Sequence, residues 1–159
     1  MVRYQDKGIL VCGEAGIGKS SLALELLQHG AVLIADDIVD FTLENNQLIA
    51  HCPAPLANLL HTRELGLLDV RQLFGNSSCQ PSANLDICIE IRSKHHNNIT
   101  LASPFTRKQI LGYSKPHICL STNTPATLKT RIDILLSLIN THAGSLEKLT
   151  DWQQQQMAF

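Results

Sequence analysis

The chain has 159 residues, 44% hydrophobic and 17% charged, with a formal net charge of −1. That length suits one ordinary domain with a sizeable core, and the near-neutral balance gives no electrostatic case for nucleic acid or a membrane surface as partner. No apolar run approaches the roughly 18 residues of a membrane span, and no basic-then-apolar leader opens the chain, which points to a cytoplasmic protein.

In chain order, GILVCG (residues 8–13) is a short apolar run ending in glycine, as a buried strand does. KSSLALELLQHG follows, with Leu22 and Leu26 on one face and Gly30 placed as a stop, so a helix is predicted. AVLIADD (residues 31–37) is a second predicted strand. IVDFTLENNQLIAH alternates on both sides of Glu44, Asn45 and Asn46 and predicts a hairpin. PAPLANLLHTRELGLLDVRQLFG mixes short helical and irregular character, and LDICIEI (residues 85–91) alternates as a strand. RSKHHNN is a polar turn or loop, and ITLA begins a further strand.

Thr124 and Pro125 have the form of an N-cap and first helical residue, and Leu128, Ile132, Leu135, Leu136 and Ile139 then mark one apolar helical face. Residues 1–150 form the expected domain. The stretch 151–159 is a polar tail that Trp152 tacks down.

GEAGIGKS satisfies G-x-x-x-x-G-K-[ST] in full, between a strand and a helix. The residues Gly13, Glu14, Ala15, Gly16, Ile17, Gly18, Lys19 and Ser20 thus predict an anion nest of inward-pointing backbone N–H groups. Lys19 can reach the β- and γ-phosphates of a nucleotide, and the Ser20 hydroxyl can ligate Mg²⁺.

Asp36 and Asp37 end the second strand, where a buried run would otherwise stay apolar. Strand C-terminal ends are where ligands bind in open α/β sheets, and a magnesium nucleotide supplies the positive charge the pair lacks. One carboxylate can hold Mg²⁺ while the other accepts a proton from an attacking hydroxyl.

The five cysteines form no C-x-x-C pair. Buried free thiols are expected, not disulfides or zinc; His51-Cys52, His95-His96 and His117-x-Cys119 lack the usual ligand spacings.

GEAGIGKSSLALELLQHGAVLIADDIV, then CPAPLANLL, then RELGLLDVRQLFG resemble the catalytic domain of HPr kinase/phosphorylase. The similarity runs from Gly8 to about Gly75, and three unusual elements in order discriminate better than the phosphate loop alone. The resemblance implies an α/β fold, a P-loop-containing sheet flanked by helices of the HPr-kinase and phosphoenolpyruvate-carboxykinase kind. It implies ATP- and Mg²⁺-dependent phosphorylation of a serine on the phosphocarrier HPr or a related carrier, with pyrophosphate as another donor and a place in regulating carbon metabolism. It also implies the reverse, phosphate-dependent reaction and self-association, with hexamers in the family.

Residue by residue, the resemblance makes Asp36 the proton acceptor and Asp37 the second carboxylate, near the metal. Arg63, Leu65, Gly66, Asp69, Val70, Leu73, Phe74 and Gly75 match the family's later signature, and Arg107 corresponds to an arginine of a further element. Arg63 and Arg107 are thereby candidate phosphate or acceptor contacts. The helix from Pro125 corresponds to the helical C-terminus that helps to receive HPr.

The departures are specific. His61 stands where the signature has an acidic residue, and Glu64 where it has glycine. The chain matches short forms without the family's N-terminal domain. The histidine that pairs with the catalytic aspartate has no counterpart before Gly13, and RSKHHNN replaces a longer arm. Two rival readings follow: a small-molecule kinase on the same scaffold, and a nucleotide-sensing module without chemistry.

Overall fold

In the computed structural model, which describes residues 1–93 and 105–141, the apolar run before the glycine-rich motif lies inside a six-stranded sheet. β1 (Val2–Tyr4) and β2 (Lys7–Gly13) form an antiparallel hairpin, and α1 (Lys19–Gln28) follows the loop. β3 (Val32–Leu33) then pairs with β1 at the sheet edge. β4 (Asp40–Glu44) and β5 (Gln47–His51) turn through Asn45 and Asn46, both left-handed at φ 48° and 62°.

β6 (Leu59–Thr62) and β7 (Gly66–Asp69) make a further hairpin, leading into α2 (Val70–Phe74). The Asp69 side chain caps α2 by accepting from the Gln72 N–H at 3.0 Å. The remaining elements are β8 (Ser82–Asn84), β9 (Ile87–Arg92), β10 (Thr106–Ile110), β11 (Tyr113–Ser121) and α3 (Leu128–Thr141).

The main sheet has the order β10-β11-β9-β2-β1-β3, with β11 and β2 parallel to β9; β4-β5-β8 form a smaller sheet. Strand alternation decides what covers each face. Ile9, Ile87, Ile89, Ile91 and Ile118 point to one side and meet Leu22 and Leu26 of α1 and Ile132 and Leu136 of α3. Leu10 and Cys88 point to the other and meet Leu48 and Ala50 of the smaller sheet. The expected α/β sheet is present, but both longer helices lie on one face and the small sheet covers part of the other. Tyr4, Gln5 and Lys129 all bond the Asp133 carboxylate, fixing α3 against the β1–β2 hairpin.

The predicted strand at 8–13, the helix to Gly30, the Asn45–Asn46 hairpin and the apolar face of the last helix are all present. Other expectations need correction. Residues 31–37 pair as a strand only at Val32 and Leu33; the Ile34 and Ala35 N–H groups both donate to the Met1 carbonyl, and the chain bends at Asp36 and Asp37. The last helix is capped by Thr127, whose Oγ1 accepts from the Thr130 N–H at 3.1 Å, not by Thr124. The β6–β7 hairpin lies where irregular structure was expected.

The cysteines of the described residues are all free, with Cys79 and Cys88 buried; burial pushes the Cys88 thiol up to about 11. Most of RSKHHNN, the ITLA strand, Trp152 and the tail lie outside the described residues.

Candidate active site

Left-handed backbone at Gly13, Gly16 and Gly18 (φ 148°, 79° and 105°) curls the chain between β2 and α1. Gly13 is also closed to a side chain by neighbouring backbone, and Gly16 is covered by a flexible side chain. A Cβ at Gly13 would sit 2.6 Å from the Ile91 carbonyl oxygen, and one at Gly16 would run into the Arg63 guanidinium. Glu14, Ala15 and Gly16 are exposed at the crest, whereas Ile17 packs against the core. The Lys19 Nζ folds back over the loop and donates to the Gly13 and Glu14 carbonyls at 3.1 and 3.0 Å.

The carboxylates lie across from this loop because β3 runs alongside β1 and ends beside the start of α1. The Ser20 hydroxyl donates to Asp36 Oδ1 at 3.0 Å, and the His61 backbone N–H donates to Asp36 Oδ2 at 2.9 Å. One aspartate thus ties the phosphate loop, the strand end and the β6–β7 hairpin together.

Asp37 instead lines a cleft of about 750 Å³, shared with Gly16, Lys19, Ser20, His61, Arg63 and Glu64. That volume is within the range of small-molecule sites. Ser20 and the two carboxylates offer the hard oxygen donors that suit Mg²⁺. Lys19 and Arg63 are cationic groups of the kind that suits phosphate. The residues present fit a magnesium nucleotide.

Of the residues singled out in the sequence, Lys19, Ser20, Asp37 and Arg63 line this cleft, and Asp36 adjoins it through its bond to Ser20 without lining it. Arg107 does not line it: its guanidinium bonds across the β10–β11 hairpin to the Ser114 hydroxyl and carbonyl, at 2.9 and 3.0 Å. His61 and Glu64, the two departures from the signature, both line the cleft. Their neighbourhood holds what sequence reasoning missed. Leu67, not singled out before, pairs across the hairpin with His61 and is 64% exposed, and Leu65, named only as a signature match, lines the cleft.

Gly16→Ala tests the cradle. It should leave the fold standing but displace Arg63 and distort the loop, weakening ATP binding at least about tenfold, the scale of a strained left-handed residue. Titration calorimetry beside a thermal melt checks this; unchanged affinity would contradict the packing of Arg63 on the loop.

A strand, a left-handed glycine loop and a helix, faced by paired carboxylates, define an α/β domain with a polar cleft at the loop. The chain belongs to the HPr serine kinase C-terminal domain family, whose model matches residues 1–156.

Among curated proteins it is similar to the HPr kinase/phosphorylase of Bordetella avium strain 197N, 46% identical over 85 residues, which is 53% of this chain and 28% of that protein. The HPr kinase/phosphorylase of Leptothrix cholodnii is 41% identical over 88 residues, 55% of this chain and 27% of that protein. The chain therefore spans under a third of either relative. The solved Hpr(Ser) kinase/phosphatase from Coxiella burnetii superposes with a TM-score of 0.79 at 28% identity, covering 96% of this chain and 93% of that one. No helix among the described residues is long and apolar enough to cross a membrane.

Proposed function

We propose that the domain transfers the γ-phosphoryl group of ATP to a serine of HPr or a related phosphocarrier protein. The observation that carries this reading is the Ser20–Asp36 bond at 3.0 Å, made by a serine that lines one cleft with Lys19, Asp37 and Arg63. The family and the named relatives point to the same acceptor.

Ser20 Oγ and Asp37 would hold Mg²⁺, which when bound neutralises charge on the β- and γ-phosphates. Lys19 exchanges its two loop carbonyls for phosphate oxygens, and Arg63, resting on Gly16, reaches the transferring group. Rotation of the Ser20 hydroxyl away from Asp36 Oδ1 leaves that oxygen free to accept the proton of an attacking serine. The His61 N–H keeps the other carboxylate oxygen in place. Exposed Leu65 and Leu67 beside the cleft suit a protein acceptor better than a small polar one.

The decisive assay combines γ-labelled ATP, the purified chain and HPr, scored for phosphoserine. Binding without transfer would favour the nucleotide sensor, and transfer to a metabolite but not to HPr the small-molecule kinase.

His61 in the cleft is the observation that favours the sensor, because imidazole is a poor ligand for hard Mg²⁺. In a working kinase, His61→Glu should leave transfer unchanged or raise it, since only the exposed side chain changes and the backbone N–H to Asp36 stays. ATP affinity and phosphoserine yield, measured for both forms, check this. A silent wild type that His61→Glu does not rescue would sink the kinase reading.

A further inference from the structure

We propose that Glu90, His117 and Cys119 form a binding site for Zn²⁺ or a similar borderline divalent metal, separate from the nucleotide cleft. Their ligand atoms all lie within 4.8 Å of one another.

The sheet places them together. His117 and Cys119 alternate on β11 and so share a face, and Cys119 sits directly beside Glu90 on parallel β9. Glu90 is in step with Cys88, which packs toward the smaller sheet, so the trio lies on the face away from α1 and α3. The nucleotide cleft does not include these residues.

His117 Nε2 and Glu90 Oε2 are 3.1 Å apart. Two ligands at Zn–N and Zn–O lengths of about 2.0–2.2 Å are separated by about 3.4 Å along a tetrahedral edge, so little movement is needed. Cys119 is exposed, leaving room for water as a fourth ligand.

The surrounding groups orient the ligands. Thr106 Oγ1 lies 2.8 Å from His117 Nδ1 and donates to the His117 carbonyl at 3.2 Å. The hydroxyl thus holds Nδ1 and the ring in place, and Nε2 faces the Glu90 carboxylate at hydrogen-bond distance. A metal ion bound here takes the place of the proton between Nε2 and Oε2. Arg92 Nε bonds Glu90 Oε1 at 2.7 Å and leaves Oε2 for the metal. Such outer partners are characteristic of metal-ligating histidines and carboxylates. Thiolate and imidazole together select a borderline metal over Mg²⁺.

The test titrates the metal-free chain with Co²⁺ and then Zn²⁺. One equivalent of Co²⁺ should raise a thiolate-to-metal absorption in the near ultraviolet, and Zn²⁺ should abolish it. Cys119→Ser, at an exposed position, should remove the band with the circular-dichroism spectrum unchanged, while Cys12→Ser keeps it. His117→Ala and Thr106→Val should each weaken Zn²⁺ binding at least about tenfold. A band that survives Cys119→Ser overturns the site. So does the absence of any band, which would leave only an imidazolium–carboxylate ion pair. Neither nucleotide nor acceptor enters this readout, so it is independent of the phosphoryl-transfer reading.

Discussion

Lys19→Ala is expected to weaken ATP binding by about 10- to 100-fold, the worth of a charge-assisted contact to phosphate. Phosphoryl transfer should fall further, by about 10²- to 10³-fold beyond the binding loss, because charge on the transferring group grows toward the transition state. The fold should persist: the Lys19 ammonium makes two hydrogen bonds to loop carbonyls, and the core of α1 is carried by Leu22, Ala23, Leu26 and Leu27. Calorimetric titration with ATP, a thermal melt and the phosphoserine assay measure the three quantities. Wild-type affinity in Lys19→Ala would mean that the loop cradles no nucleotide.

Asp36→Asn should separate chemistry from binding. An asparagine can still accept from the His61 N–H through its carbonyl oxygen and can donate its amide to Ser20, so both contacts of the carboxylate have substitutes. What disappears is the proton acceptor. Transfer should drop by about 10²- to 10⁴-fold, with ATP affinity within a few-fold of wild type. Asp37→Asn, at an exposed position lining the cleft, should instead raise the Mg²⁺ concentration needed for half-maximal transfer. Equal losses in both variants with unchanged metal dependence would remove the division of labour between them.

The elements legible in the sequence are those in which local pattern and long-range packing agree. The run before Gly13 is apolar because it is interior to the sheet, and α1 repeats leucine where it meets the core. Asn45 and Asn46 announce their turn because asparagine tolerates left-handed backbone. The β1–β2 and β10–β11 hairpins turn on Gln5–Asp6 and Leu111–Gly112, and glutamine and leucine are rarely left-handed, so those turns gave little sign of themselves. In LLHTRELGLLD, leucine pairs blur the alternation of β6 and β7, and only Gly66, at φ 73°, marks the tight connection.

The glycine loop between β2 and α1 was legible for the opposite reason, since its pattern is local. Asp36 and Asp37 could be singled out as misplaced carboxylates. That the His61 backbone would hold Asp36 depends on a contact 25 positions apart, which no pattern signals. The grouping of Glu90 with His117 and Cys119 was hidden likewise, because it arises only when β9 and β11 pair.

The β6–β7 hairpin pairs with no third strand among the described residues, although it carries five residues of the cleft wall. Two strands alone are marginally stable in water. This pair is held by buried Leu60 and Thr62, by the Asp36–His61 bond, and by the Val70 N–H donating to the Asn58 carbonyl at 2.9 Å. Docking of the wall therefore rests on these few contacts and not on a strand ladder, and undocking it would expose Leu60 and Thr62. Apparent affinity for anything that needs the wall docked scales with the fraction of molecules in which it is docked. A protein that grips Leu65 and Leu67 from outside raises that fraction, and thermodynamic reciprocity requires a ligand in the cleft to strengthen the grip by the same factor. If the proposed function holds, donor and acceptor would be coupled through this hairpin without having to touch.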